Sequence, residues 1–137
     1  MSRLVLDAAA FDALAGPPSD RGRFVASALI AASSADAEVL VPTIVLAELY
    51  RPGRMALVDA CLARDDTGIT CRDTDRPLAR LVGGVLAAAG AGSEDLADAH
   101  VVATAVEGGR SVVMTGDPDD MRRLAAPYAS VNVVALP

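Results

Sequence analysis

Ser111-Val112-Val113-Met114-Thr115-Gly116-Asp117-Pro118 holds a strand, a tight turn and the start of a helix in one short stretch. Consecutive apolar side chains from Val112 to Met114 suit a strand only if both of its faces are covered. Pro118 fits the first turn of a helix, where its ring presets φ and its missing N–H would have had no partner. Further out, the same unit recurs. Arg3–Leu6, Glu38–Val41 and Val131–Ala135 read as strands, with Gly68–Cys71 a weaker fifth. Helical patterns fill the intervals. Phe24, Val25, Ala28, Leu29 and Ala32 form one stripe along Arg21–Ala32. Thr43 is placed to cap a helix running to about Tyr50, which Pro52-Gly53 stops. Met55–Arg64 is the next helix, and another runs from Arg76 or Pro77 to about Ala89, with Gly83-Gly84 as an expected close-packing point. Ser93 is read as the cap of a helix ending at Gly108-Gly109, and Asp117-Pro118 opens one through Ala125 that Pro127 ends. Strands alternating with helices predict one α/β domain over 1–137, a parallel sheet covered on both faces.

The composition narrows the chemistry. At 137 residues and 53% hydrophobic, the chain is long enough for one core, but 3% aromatic content leaves that core to Ala, Val and Leu. So few rings argue against base-stacking platforms for single strands. All twelve basic residues are Arg, and the net charge is −6, which does not suit a broad basic nucleic-acid face but does suit a basic partner. Cys61 and Cys71 lack any metal-ligand spacing and are expected to be buried free thiols. A charge at position 3 and an acid at position 7 do not make a signal peptide, and Leu81 to Gly92 is too short and glycine-rich to span a bilayer. A soluble, cytoplasmic protein without a membrane partner is expected.

Four acids stand where apolar runs stop or helices turn inward: Asp7, Glu48, Asp98 and Asp117. Open parallel sheets gather their sites beyond the carboxyl ends of strands, where Asp7 and Asp117 fall. At an effective dielectric near 20, two like charges about 5 Å apart repel by roughly 3 kcal/mol, so gathered carboxylates call for a cation. An all-oxygen site suits Mg²⁺ or Mn²⁺. Each acid also has a purely structural use. Asp7 can cap a following helix, Glu48 can pair with Arg51, Asp98 can pair with an arginine, and Asp117 can cap the helix opened by Pro118. Asp95 is a first-turn anion or a fifth acid at the mouth of the site; Asp119 and Asp120 read as first-turn acids. His100 lies about 200° around the helix from Asp98 and reads as a packed or capping side chain. Thr115 is placed to bond a carboxylate or a bound water, or equally to pack at the strand end; Arg21, Arg23, Arg51 and Arg54 read by default as solvated surface charges, with phosphates at a cleft rim as the alternative. Without lysine, phosphoacceptor receiver and haloacid-dehalogenase chemistry are excluded, and a single histidine excludes metal-free RNA cleavage by a histidine pair. No phosphate-binding glycine loop is present. Phosphodiester hydrolysis by metal-activated water remains.

The chain resembles the PIN-domain ribonucleases, and among them the VapC-type toxins of toxin–antitoxin pairs. Four blocks carry the resemblance: Leu4-Val5-Leu6-Asp7; Val41 to Glu48; Asp95-Leu96-Ala97-Asp98-Ala99-His100-Val101-Val102-Ala103; and Val112 to Asp120, with its Thr-x-Asp. The resemblance implies a three-layer α/β/α fold with a central, mainly parallel sheet. It also implies a catalytic and metal-binding set of Asp7, Glu48, Asp98 and Asp117 holding Mg²⁺ or Mn²⁺. The activity implied is endoribonuclease cleavage of RNA, held in check by a cognate antitoxin with a basic inhibitory segment; a homodimer is expected. A catalytically idle RNA- or protein-binding module, and an RNA-processing nuclease without an antitoxin, are the rival readings. The chain departs from the family at Ala9, where a small hydroxyl residue or glycine is common, and at Gly116, where Ser or Asn is common.

Overall fold

The computed structural model describes residues 1–137. Its elements run β1 (Arg3–Leu6), α1 (Ala8–Ala15), α2 (Asp20–Ser34), β2 (Glu38–Pro42), α3 (Thr43–Leu49), α4 (Met55–Ala63), β3 (Ile69–Arg72), α5 (Arg76–Ala89), α6 (Leu96–Glu107), β4 (Ser111–Thr115), α7 (Pro118–Ala125) and β5 (Val131–Ala135). The five strands form one sheet in the order β3-β2-β1-β4-β5, and every pair is parallel. Right-handed crossovers put α1 to α4 on one face and α5 to α7 on the other. This is the expected three-layer α/β fold. β1 is central, with Arg3 opposite both Glu38 and Ser111. The chain builds outward from β1 through β2 to β3, then returns over the other face to β4. That reversal opens a crevice at the carboxyl ends of β1 and β4, the switch point at which such sheets place ligands.

Burial explains the runs without alternation. Leu4, Val5, Leu6, Val41, Val113 and Met114 are all 3% exposed or less, as strands covered on both faces require. Facing helices supply Phe11, Val25, Val58, Leu78, Val101, Val102, Met121 and Leu124. Each such side chain contributes about 1.5–3 kcal/mol on burial. No helix is long and apolar enough to cross a membrane.

Several local expectations need correction. α1 is a full helix that the alanine-rich stretch Ala8–Ala15 does not announce, having no polar stripe to set a period. α2 starts at Asp20, capped by Ser19, whose hydroxyl accepts from the Gly22 N–H. Thr43 makes no cap; its hydroxyl donates instead to Asp73 at 2.5 Å, tying α3 to the end of β3. Ser93 opens a 3₁₀ turn through Asp95 without capping it, and α6 follows. Gly83 and Gly84 lie on the exposed side of α5, with nothing for an added side chain to meet, so no close packing occurs there. Both cysteines are free, but only Cys61 is buried; Cys71 is exposed on the edge strand β3.

Below the sheet, Arg3 donates to Glu38, Glu107 and the Thr104 carbonyl, and Arg72 donates to Glu107 and Asp75. The Arg3 side chain passes so close to Gly108 that a methyl group there would overlap it. Gly108→Ala should therefore destabilise the fold by about 1–3 kcal/mol, read as a lower thermal-unfolding midpoint; an unchanged midpoint would mean that Arg3 is free to move aside.

Candidate functional site

Asp7 ends β1 in an extended conformation and is 5% exposed. Its Oδ1 accepts the Ala10 N–H at 2.9 Å, which caps α1. Oδ2 accepts the Thr115 hydroxyl at 2.6 Å and the Gly116 N–H at 3.1 Å. The cap and the site are thus one residue. A carboxylate has about four lone-pair positions, so these three bonds leave Asp7 free to take one more partner. The Thr115 hydroxyl also accepts the Asp117 N–H at 2.9 Å, so Asp7, Thr115 and Asp117 form one chain across the β1–β4 seam.

Asp98 sits in the first turn of α6 and is partly buried. Burial first, then the negative charges of Asp7, Asp117, Glu48 and Asp120, push its carboxyl up to about 6. The other three acids chosen from the sequence, Asp7, Glu48 and Asp117, therefore all fall within electrostatic reach of Asp98. Glu48 is exposed at the end of α3 and makes no pair with Arg51, which donates to the carbonyls of Ala47 and Tyr50. Asp117 precedes α7 without a side-chain cap bond. His100 is buried, with Nδ1 against the Leu96 carbonyl at 2.8 Å, and has no contact with the acids.

Two further acids join the group. Carboxylate oxygens of Asp95, Asp98 and Asp120 lie within 4.8 Å of one another. The charge of Asp117, and then a hydrogen bond with it, raise the Asp120 carboxyl above its usual range. Asp95 is bound by Arg123 at 3.0 Å. Both are first-turn acids, as expected for Asp120 and as one of the two readings of Asp95 has it. A signal for their convergence is also present, since Asp95 precedes Asp98 by three and Asp120 follows Asp117 by three, the spacing that puts side chains on one helix face. The donor set fits a hard divalent cation, being all carboxylate oxygen gathered around Asp98. A concavity of about 510 Å³ lies elsewhere, beside the starts of β2 and β3, and none of these acids lines it. The acid group itself is an open rim.

Ala9 and Gly116 prove to be one feature. A side chain at 116 would place its Cβ 2.6 Å from the Ala9 methyl. The bare backbone at 116 is what lets its N–H reach Asp7 with Ala9 in place, so the two departures compensate each other. Gly116→Ser alone should lower the melting midpoint, and adding Ala9→Gly should restore most of it, giving a coupling of about 0.5–3 kcal/mol. Strictly additive effects would show that the two positions do not meet.

The Asp98 shift carries a pH signature. A group whose folded pKa is raised costs stability above that pKa and is relieved as pH falls through it. Metal-free protein should melt at a higher temperature near pH 5 than near pH 7. Asp98→Asn should flatten that dependence, and a slope unaltered by the substitution would place its origin elsewhere.

No family model and no curated protein matches the chain by sequence. Its fold is similar to that of a chain of VapBC2 from Rickettsia felis, solved bound to a DNA fragment from the promoter of that pair. The match has a TM-score of 0.65 and 14% identity, and it covers 98% of this chain and 99% of the other.

Proposed function

We propose that this protein is a divalent-metal-dependent endoribonuclease and the toxin of a type II toxin–antitoxin pair. The observation that carries this reading is the convergence of Asp7, Glu48, Asp117 and Asp120 on Asp98 at the carboxyl ends of β1 and β4. The full-length fold likeness to a chain of VapBC2 supports it.

In this reading Asp7, Asp98 and Asp117 hold Mg²⁺ or Mn²⁺, with Glu48 as a further ligand or as the group that orients the attacking water. The bound cation supplies Lewis-acid chemistry, offsetting phosphate charge and lowering the pKa of water. Asp7 contributes rigidity, since three hydrogen bonds fix its carboxylate. Asp98, its carboxyl raised to about 6 by burial and then by its neighbours' charges, would be held fully ionised as a ligand to such a cation. Glu48, exposed at the rim, can accept a proton from water and release it to solvent. Attack on phosphorus leaves a 5′-phosphate and a 3′-hydroxyl. The open rim admits a polymer, whereas a closed pocket would select a small molecule. Exposed carboxylates on a chain of net charge −6 suit a basic inhibitory segment of an antitoxin, and a cytoplasmic setting follows from that partnership.

The test is cleavage of a structured RNA by purified protein in Mg²⁺ or Mn²⁺, with and without excess chelator. Cleavage should require the metal, and Asp98→Asn should lower the rate about a hundredfold or more. Asp119→Asn, an exposed first-turn acid of α7, should keep nearly full activity. Undiminished cutting in chelator, or full activity in Asp98→Asn, would sink the proposal.

A further inference from the structure

We infer that Arg123 is the residue that receives an RNA backbone phosphate beside the acids, an assignment that rests on the nuclease reading above. Most arginines that form ion pairs do so elsewhere. Arg3 and Arg72 are bound into the Glu38, Glu107 and Asp75 network. Arg64 gives two donors to Asp66, Arg54 pairs with Asp12, and Arg23 with Asp20. Only Arg123 forms ion pairs with the clustered acids.

Its geometry leaves it available. One donor, Nη2, goes to Asp95 at 3.0 Å. Nε lies 3.9 Å from Asp120, beyond hydrogen-bond range, and Nη1 has no bonded partner. The side chain remains 44% exposed, while that of its anchor Asp95 is only 12% exposed. With Nη2 held by Asp95, the two N–H groups of Nη1 stay free to donate to phosphate oxygens. The position of Arg123 on α7, one turn beyond Asp120, holds those donors at the rim of the carboxylate group.

The charge pattern gives it a task. Six carboxylates (Asp7, Glu48, Asp95, Asp98, Asp117 and Asp120) repel an approaching polyanion, and bound metal offsets only part of this. A fixed cation among them gives one phosphate a landing point and so sets the register of the strand against Asp98. Asp95 is then a positioning residue acting through Arg123.

Binding of a labelled single-stranded RNA, read by anisotropy with Ca²⁺ replacing Mg²⁺ and with the RNA checked intact on a gel, tests this over a series of salt concentrations. Arg123→Gln should weaken binding about tenfold and make the slope of log affinity against log salt shallower by about 0.7, the loss of one phosphate contact on a single strand. Arg123→Lys should restore the slope but only part of the affinity. Arg64→Gln, beside the starts of β2 and β3, should leave the slope unchanged. If Arg123→Gln lowers the melting temperature while affinity and slope stay at wild-type values, the ion pair is a structural tie and the assignment is overturned. No measurable RNA binding by the wild type overturns it as well. A wild type that binds RNA with an Arg123-dependent slope yet cuts nothing in Mg²⁺ or Mn²⁺ ends the nuclease reading and upholds the phosphate contact.

Discussion

The buried carboxylate of Asp7 is the constraint on which the rest of the site depends. One oxygen closes the start of α1, and the other gathers the Thr115 hydroxyl and the Gly116 N–H from the end of β4. A carboxylate 5% exposed is tolerable because charge-assisted hydrogen bonds replace the water it has lost. Those bonds also fix the distance between the two central strands at their carboxyl ends. Asp117 inherits its position through Thr115, and α7, which carries Asp120 and Arg123, follows directly from Asp117.

Around that fixed point the protein accumulates like charge. Burial and then repulsion raise the Asp98 carboxyl, repulsion from Asp117 raises that of Asp120, and Arg123 relieves the group on one side only. The cost is borne by a rigid scaffold: the strand residues nearest Asp7, from Leu4 to Leu6 and from Val113 to Thr115, are all buried in a fully covered sheet core. Such an arrangement favours whatever positive group can enter, whether an ion or a partner's side chain.

Much of this was legible in the sequence, for identifiable reasons. Unalternating Val- and Leu-rich runs gave the strands, because parallel strands bury both faces. Asp7 and Asp117 were recognisable as acids at strand ends, and Asp98 as an acid on an apolar helix face. Asp95 and Asp120 are first-turn acids, as their positions in the sequence indicate, and their approach to Asp98 comes from the packing of α6 beside α7, which local pattern does not reveal. Arg123 showed only its neighbour Asp120 three positions back, since its hydrogen-bonded partner Asp95 is twenty-eight positions away. Capping by Thr43 and Ser93 failed similarly, as Thr43 found a long-range acceptor in Asp73 that short-range preference does not reveal. The Ala9–Gly116 complementarity is a contact between residues far apart in the chain, visible only once β1 and β4 are neighbours.

The strand order has a temporal consequence. β1 is made first, yet its partner β4 follows β2 and β3 in the chain, so the β1–β4 seam closes a loop of about a hundred residues (Asp7 to Thr115 is 108). Chain entropy makes such a closure late in folding. A polypeptide emerging from the ribosome can pair β1 with β2 and pack α1 to α4 while Asp7 still lacks Thr115 and Asp98 still lacks Asp117. The carboxylates remain scattered charges until β4 slots in, and the acid group has no existence up to that moment.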